Sequence, residues 1–367
     1  MRIPLVDLAA QQAEVHDEVR AGLDEVFATT AFVGGPAVGR FEEAYAAAVG
    51  VRHCVGVGNG TDAVELALRA VGVGPGAEVV VPVNTFVATA EAVSRIGAVP
   101  VLVDVDPRHL LVDPEAVRAA VGPRTAAVVP VHLFGQVAPV GELLKIAADA
   151  GVPLVEDAAQ AQGARRGGRA AGSFGVAAAT SFYPGKNLGA AGDAGGVTTD
   201  DADVARRVRV LAGHGSTRRY RHDVVGMNSR LDTVQAVVLE AKLRRLAGWN
   251  ARRRAAAARY DALLRDVPGV RAPVADPANE DVWHLYVVQV AERDRVLAAL
   301  HGAGVGAGVH YPVPLHLTGA YRHLGLGRGA FPVAEAAADR ILSLPMHPHL
   351  TAAQQEDVVE ALRRAVA

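Results

Sequence analysis

The sequence has 367 residues, longer than most single domains, and predicts a chain with two of them. With 50% hydrophobic residues, 21% charged residues and a formal net charge of -2, it is typical of a globular protein, and no basic stripe suggests nucleic acid as a partner. Because Cys54 is the only cysteine, an intramolecular disulfide and a cysteine-based metal site are excluded. We see neither a signal peptide nor a run of roughly 20 uncharged apolar residues, so we expect a cytoplasmic protein with no membrane span.

Strand-like and helix-like segments alternate through the first part of the chain. The strand-like segments are continuous apolar runs, which is typical of buried parallel strands. Together with the alternation, they predict an α/β fold with a mainly parallel sheet covered on both faces. In chain order, the predicted elements are a helix at 61–73, a strand at 78–82, a helix at 85–96, a strand at 99–105, a helix at 113–121, a strand at 126–131, a helix at 141–150 and a strand at 152–155.

The pattern changes near residue 250. We therefore predict a large α/β domain over residues 1–249 and a small C-terminal α+β domain over residues 250–367. The elements predicted here are helices at 202–211, 231–246 and 251–264, a strand at 283–290, a helix at 293–302, a strand at 341–344 and a terminal helix at 351–366.

The chain contains only three lysines, at positions 145, 186 and 242, and takes its other positive charges from arginine. Arginine cannot form an imine, so each lysine is a candidate nucleophile. Lys145 and Lys242 lie on predicted amphipathic helices, where a solvated position is the ordinary interpretation. Lys186 lies after an apolar strand in the glycine-rich run SFYPGKNLG, where apolar surroundings would lower its pKa. A surface lysine in a flexible loop is the alternative.

Two carboxylates, Glu156 and Asp157, follow another apolar strand. Ligands bind beyond the carboxyl ends of the strands in open α/β sheets, so a carboxylate at this place suits a cationic group. Side chains alternate along a strand, so only one of the two can face such a site. The alternative is an aspartate that caps the next helix.

A glycine-rich turn at 56–61 joins a strand to a helix, and its free N–H groups favour a phosphate. The turn departs from the dinucleotide-binding fingerprint because Thr61 occupies the position of the third glycine. The remaining similarity leaves a nicotinamide-dependent sugar oxidoreductase as an alternative function. Phe86, at another strand end, is either a stacking partner for a flat ring or ordinary core. We predict no metal site, because the histidines at 310, 316, 347 and 349 lack the helical spacing of a zinc protease motif and no cysteine lies near them in the sequence.

Four runs in this order resemble the nucleotide-sugar aminotransferases of the DegT/DnrJ type, and the resemblance extends over residues 3–346. It implies the aspartate-aminotransferase-like fold, known as PLP fold type I, and a homodimer with active sites at the subunit interface. The implied cofactor is pyridoxal 5'-phosphate (PLP), with pyridoxamine 5'-phosphate as its intermediate form. The runs are GNGTDA at 58–63, EDAAQ at 156–160, SFYPGKNLG at 181–189 and NSRLD at 228–232.

The resemblance also implies a role for individual residues. Lys186 would bond to the cofactor and move the proton, while Asp157 would pair with the pyridine nitrogen. The implied cofactor contacts are Gly60, Thr61, Phe86, Asp157, Gln160, Ser181 and Lys186, with Asn228 supplied by the other subunit. The implied substrate contacts are Tyr220, Arg230, His310, Tyr311 and His316.

The implied reaction moves an amino group from L-glutamate to a nucleotide-linked keto sugar. Relatives with histidine in place of the lysine are dehydratases, so Lys186 favours transamination. The run NGTDA resembles the branch that converts dTDP-3-keto-6-deoxyhexose to dTDP-3-amino-3,6-dideoxyhexose, for an antibiotic or a surface polysaccharide. Gln160, where other members carry histidine, leaves amination at C4 of a 4-keto-6-deoxysugar open. A non-catalytic sensor and a PLP lyase are further alternatives.

Overall fold

The computed structural model describes residues 2–367 as a large α/β lobe and a smaller lobe that share one long helix. Short 3-10 turns occur at Leu133–Gly135, Leu315–Leu317 and Gly319–Leu324. The α-helices are α1 (Leu8–Ala13), α2 (His16–Thr29), α3 (Pro36–Val49), α4 (Gly60–Ala70), α5 (Val87–Arg95), α6 (Pro114–Ala120), α7 (Val140–Asp149), α8 (Ala202–Ala212), α9 (Thr233–Leu264), α10 (Arg293–Gly302), α11 (Pro332–Ala338) and α12 (Ala352–Val366).

The strands of both lobes are short, and several are two-residue pairs. They are β1 (His53–Val57), β2 (Glu78–Pro82), β3 (Val99–Val103), β4 (Thr125–Val128), β5 (Val155–Asp157), β6 (Arg165–Arg166), β7 (Arg169–Ala170), β8 (Ala177–Ser181), β9 (Gly195–Thr199), β10 (Ser216–Arg218), β11 (Arg221–His222), β12 (Val270–Arg271), β13 (Asn279–Glu280), β14 (Tyr286–Val290) and β15 (Ile341–Leu344).

The large lobe is built on a mainly parallel sheet in the order β3-β2-β4-β5-β8-β9-β1. Strands β3, β2 and β4 are parallel, parallel bridges at Val128–Leu154 and Val131–Asp157 join β4 to β5, and β5 is parallel to β8. Strand β9 runs antiparallel to both of its neighbours. The predicted α/β class is confirmed, although the sequence did not indicate β9, whose glycines read as part of a loop.

Apolar side chains explain why these strands are central. Val79, Val80 and Val81 of β2 are at most 1% exposed, since helices cover both faces of the sheet. Strands β1, β2, β4, β5 and β8 point their carboxyl ends toward the same edge. Their following loops therefore meet there, which places the candidate site.

Helix α9 corrects the prediction of two helices at 231–246 and 251–264, because it runs without a break for 32 residues. Glycine lowers helix propensity, and Gly248 suggested an interruption. Tertiary contacts override that preference. Trp249 is 1% exposed and donates its indole N–H to Glu14, and the side chain of Asn250 is buried.

The predicted domain boundary between residues 249 and 250 falls inside α9. The second half of this helix packs on the small lobe, where Tyr260 and Leu264 join strands β14 and β15 and helix α12 in one apolar cluster. Leu285 and Ile341 belong instead to the apolar core of the large lobe, so the two lobes share buried surface. Among residues 2–367, no helix has the length and apolar character needed to cross a membrane.

Candidate active site

A cavity of about 740 Å³ opens where the loops after the parallel strands meet. It is large enough for a cofactor together with part of a substrate. The predicted site residues that line it are Gly60, Thr61, Phe86, Asp157, Gln160, Ser181, Lys186, His310 and Tyr311.

Lys186 lies in the tight loop after β8. Its backbone N–H donates to the Tyr183 carbonyl at 2.9 Å, and Ala190 N–H donates to the Phe182 carbonyl at 2.7 Å, so the loop closes on itself. Burial lowers the pKa of Lys186 to about 8, although the Asp157 carboxylate acts in the opposite direction. Near neutral pH a useful fraction of this amine is therefore unprotonated and nucleophilic.

Lys242 does not occupy the solvated position predicted for it. Its side chain is 5% exposed, and Nζ donates to the carbonyl oxygen of Gly189 at 2.9 Å. Gly189 closes the loop that carries Lys186, so Lys242 fixes the end of that loop from α9. Lys145, by contrast, is exposed on α7 as predicted.

Asp157 ends β5 with its carboxylate in the cavity wall, where it is 6% exposed. Oδ2 accepts a hydrogen bond from Thr89 Oγ1 at 2.8 Å, and Oδ1 accepts one from Ala159 N–H at 3.1 Å. These two donors fix the plane of the carboxylate. A fixed buried carboxylate suits a cationic ring nitrogen, since it can keep that nitrogen protonated.

Glu156 faces the other side of the strand, as the alternation of side chains requires. It is fully buried, and its oxygens accept hydrogen bonds from His132 Nε2 (2.8 Å) and from the N–H groups of Gly172 (2.8 Å), Phe174 (2.6 Å) and Gly175 (2.8 Å). Glu156 thus fixes the strand from behind, while Asp157 serves the cavity.

Replacing Glu156 with Gln is expected to lower the free energy of unfolding by about 2–4 kcal/mol. His132 Nδ1 accepts Ala138 N–H at 3.1 Å, so its Nε2 carries the hydrogen and only donors face Glu156. The amide NH₂ of Gln would meet one of those donors. Urea unfolding measures the change, with Glu43→Gln on the exposed face of α3 as a control that should stay within about 0.5 kcal/mol. Equal stability of the two variants would contradict this account.

The glycine turn at the start of α4 forms a cradle of backbone N–H groups. Asn59 caps the helix, and its side chain accepts Asp62 N–H at 2.8 Å, leaving the N–H groups of Gly60 and Thr61 at the cavity. A Cβ on Gly60 would lie 2.5 Å from the Cβ of Ser181. The close approach brings a hydroxyl beside the helix N-terminus, which is the arrangement that a phosphate group needs.

We expect Gly60→Ala to weaken the binding of PLP by about tenfold or more, because the added methyl group would push Ser181 away from the helix N-terminus. Absorbance titration of cofactor-free protein with PLP measures this. Gly74→Ala is the matched control, since a Cβ there meets nothing within 4 Å. If both variants bind PLP as tightly as the unaltered protein does, the cradle does not hold the phosphate.

Phe86 and Tyr311 form an aromatic wall of the cavity. The two ring centroids are 5.2 Å apart, and Phe86 is 50% exposed because one face of its ring borders the cavity. Gln160 accepts Phe134 N–H at 2.7 Å and donates to the Tyr311 hydroxyl oxygen at 3.1 Å. Burial, with a smaller contribution from the Asp157 charge, raises the pKa of Tyr311 to about 12, so its hydroxyl keeps its proton. A flat ring fits against this wall.

Four predicted site residues do not line this cavity. Tyr220 is 82% exposed at the β10–β11 turn, and Asn228 and Arg230 are exposed on the segment that follows. His316 is buried at 2% exposure and pairs with Glu335 at 3.0 Å, under the ring of Phe331. Among residues 2–367, no side-chain hydrogen bond joins any of these four residues to the cavity wall.

The cavity wall also includes Thr89, Tyr183 and His284, which the sequence did not indicate as site residues. Thr89 and Tyr183 lie in the same runs as Phe86 and Lys186, and Tyr183 is 59% exposed. His284 comes from the small lobe, just before β14, where an alternating strand pattern gave no sign of a site.

His310, which also lines the cavity, is neutral, because burial and the Lys186 charge lower its pKa to about 4.

Comparison with known proteins places this geometry among sugar aminotransferases. The chain is 47% identical over 363 residues, 99% of both chains, to the erythromycin biosynthesis sensory transduction protein EryC1 of Saccharopolyspora erythraea. It is 44% identical over 362 residues to the dTDP-3-amino-3,4,6-trideoxy-alpha-D-glucose transaminase of Streptomyces venezuelae, which covers 99% of this chain and 96% of the relative.

Solved structures agree with these relatives. The crystal structure of S. venezuelae DesV in complex with a ketimine intermediate superimposes with a TM-score of 0.97 at 44% identity, over 99% of this chain and 98% of DesV. NtdA from Bacillus subtilis, which was solved with bound cofactor PMP, has a TM-score of 0.92 at 28% identity over 100% of this chain and 85% of its own. The expected fold is thereby confirmed.

Residues 13–363, nearly the whole chain, match the sequence pattern of the DegT/DnrJ/EryC1/StrS aminotransferase family. The cavity has a group suited to each part of PLP. Lys186 could bond to its aldehyde carbon, and Asp157 could pair with its ring nitrogen. The N–H cradle at Gly60 suits the phosphate, and the wall at Phe86 suits the ring face. The chain therefore belongs to the DegT/DnrJ/EryC1/StrS aminotransferase family and is a PLP-dependent aminotransferase.

Proposed function

We propose that this enzyme transfers the amino group of L-glutamate to a nucleotide-linked keto-deoxysugar, and specifically that it converts dTDP-3-keto-6-deoxyhexose to dTDP-3-amino-3,6-dideoxyhexose. The observation that carries the proposal is a half-buried lysine of lowered pKa that shares a cavity of about 740 Å³ with a fixed carboxylate. The S. venezuelae relative, named as a dTDP-amino-trideoxyglucose transaminase, supports the choice of sugar.

The chemistry divides among a few side chains. When bound, PLP would supply the electron sink that amino transfer requires. Asp157 would hold a positive charge at the ring nitrogen, while Phe86 and the cradle at Gly60 would hold the ring and the phosphate. Lys186 is then free to take a proton from the reacting carbon of one substrate and to deliver one to the other.

A homodimer is part of the proposal, with each site completed by the other subunit. Asn228, Tyr220 and Arg230 are exposed and outside their own cavity, which is what a residue serving a neighbouring site would show. The exposed side chains of Phe27 and Phe32, whose ring centroids are 5.6 Å apart, supply apolar surface for such contact.

The deciding experiment incubates the PLP-loaded enzyme with L-glutamate and dTDP-3-keto-6-deoxyhexose and follows both products. We expect the amino sugar and 2-oxoglutarate to appear in equal amounts, with NMR placing the new amine on C3. An amine formed only from the 4-keto-6-deoxysugar would replace the C3 proposal with amination at C4. Sugar conversion without 2-oxoglutarate would indicate a lyase and overturn transamination. A nicotinamide-dependent oxidoreductase has no support in the relatives named above.

A further inference from the structure

The segment at residues 228–232, after the β10–β11 hairpin, forms a strip whose side chains alternate between buried and exposed. Two of its side chains are 2% exposed, and the three around them are exposed. A period of two gives the strip one face that packs on its own subunit and one that points away from it. The inward residues are Ser229 and Leu231, and the outward residues are Asn228, Arg230 and Asp232.

Ser229 fastens the inward face of the strip to the phosphate cradle. Its Oγ accepts a hydrogen bond from Gly58 N–H at 3.0 Å and donates one to Asp62 Oδ2 at 2.7 Å. These two partners flank the N–H groups of Gly60 and Thr61. Ser229 does not line the cavity, so its hydroxyl spans the turn from outside and fixes both of its ends.

Two glycines let the strip approach the strand that leads into the cradle. A Cβ added to Gly56 would lie 2.7 Å from the Cβ of Leu231, and one added to Gly58 would lie 3.3 Å from Ser229 Oγ. The N–H group of Ser229 also donates to the Ala212 carbonyl at 2.9 Å, so α8 holds the strip as well. Because strip and turn are in direct contact, a shift of one would move the other.

The far end of the strip joins the apolar surface proposed for dimer contact. Thr233 N–H donates to the Phe32 carbonyl at 3.0 Å, and Asp232 pairs with Val33 in an antiparallel bridge. Phe32 is 43% exposed and Val33 is 53% exposed, so the apolar surface and the outward face of the strip are contiguous. A second copy of the chain that covers one of them would therefore also meet the other.

We propose that Ser229 is a positioning residue for two PLP sites of the homodimer: the cradle of its own subunit and, through Asn228, the site of the other subunit. The proposal rests on the homodimer of the proposed function. Within its own subunit, the hydroxyl ties Gly58 to Asp62 and so holds the N–H groups between them. The same contact fixes the backbone of the strip, so Asn228 is already ordered before a ligand arrives and its ordering costs no affinity.

Mixed dimers separate these two effects. Full-length chains with two different affinity tags are co-expressed, and dimers carrying both tags are purified and freed of cofactor. One chain of each dimer carries Lys186→Ala, so the absorbance band of lysine-bound PLP reports the site of the other chain alone. With Ser229→Ala on the Lys186→Ala chain, the reporting chain keeps its own cradle intact. Its Kd for PLP should nevertheless rise about fivefold, the size expected for roughly one lost hydrogen bond.

Two further dimers complete the comparison. Ser229→Ala on the reporting chain should also raise the Kd about fivefold, because its cradle loses the tie between its ends. Thr199→Val is the matched control, placed on either chain. Thr199 is also 2% exposed, accepts Asp201 N–H at 3.0 Å and donates to the Val176 carbonyl at 2.7 Å, at the end of β9 remote from the cradle. This variant should leave the Kd unchanged.

Each outcome decides the matter. An unchanged Kd in either Ser229→Ala arrangement overturns the proposal, and so does an equal rise with Thr199→Val, since that would follow from altered packing alone. A monomeric PLP-loaded protein in sedimentation overturns it together with the homodimer, but leaves the amino-transfer reaction in place.

Two further results concern the protein as a whole. If a mixed dimer with Lys186→Ala as its only change shows no band, the assignment of Lys186 and the proposed function fail, and this proposal fails with them. If Ser229→Ala does not fold, a crystal structure of the unaltered PLP-loaded dimer decides. It supports the proposal when Ser229 keeps both hydrogen bonds and Asn228 reaches the phosphate of the other subunit, and overturns it otherwise.

Discussion

Lys186→Ala is expected to lower the rate of amino transfer at least about a thousandfold, because alanine can neither bond to PLP nor move a proton. The variant should also lack the visible absorbance band of lysine-bound PLP that glutamate bleaches in the unaltered enzyme. Both properties can be measured on one sample, by absorbance before and after glutamate is added and by the rate of 2-oxoglutarate formation.

Lys145→Ala is the matched control, because Lys145 is exposed on α7 and contributes nothing to the cavity. A small amine such as methylamine, added in excess, should restore part of the lost rate in Lys186→Ala by acting as the base. Normal turnover by Lys186→Ala without added amine would refute the assignment of this residue. A loss of the same size in Lys145→Ala would show that the assay responds to something other than the active site.

Asp157→Asn is expected to lower kcat about a hundredfold or more while PLP remains bound. Asparagine keeps the shape of the side chain, and its single oxygen can still accept from Ala159 N–H while its NH₂ group donates to the Thr89 hydroxyl, but it carries no negative charge to hold a proton on the ring nitrogen. Stopped-flow absorbance of the glutamate half-reaction isolates this effect from binding of the sugar.

Thr89→Val provides the comparison for Asp157→Asn. It removes one donor at 2.8 Å but leaves the carboxylate charged, so the loss should stay within about tenfold. If Thr89→Val is as slow as Asp157→Asn, orientation of the carboxylate matters more than its charge. If Asp157→Asn keeps more than half of the activity, the carboxylate does not control the ring nitrogen.

Much of the site could be predicted because its chemistry lies in short runs at strand ends. Lys186 and Asp157 each follow an apolar strand, and parallel strands bring their carboxyl ends to one edge. The alternation of side chains further predicted that only one of Glu156 and Asp157 would face the cavity, without saying which. The buried contacts of Glu156 decide that question, and they come from residues 172–175 and His132, which no local pattern connects to it.

Other features depend on contacts between distant parts of the chain. His284 lies 98 positions after Lys186 and approaches it through a 3.2 Å contact with the neighbouring Asn187, a relation that spacing does not contain. Lys242 is a second example. Its position on the helix predicts a solvated side chain, but folding places the Gly189 carbonyl against its amine. Gly248 suggested a break in α9 because local propensity omits the burial of Trp249.

The unbroken course of α9 limits how this enzyme can move. A 32-residue helix is about 48 Å long, and it passes from the core of one lobe into the core of the other. Because the helix is continuous, it provides no flexible hinge at residue 250 about which the two lobes could rotate apart. We therefore expect admission of a substrate as bulky as a nucleotide sugar to depend on the surface loops and hairpins around the opening.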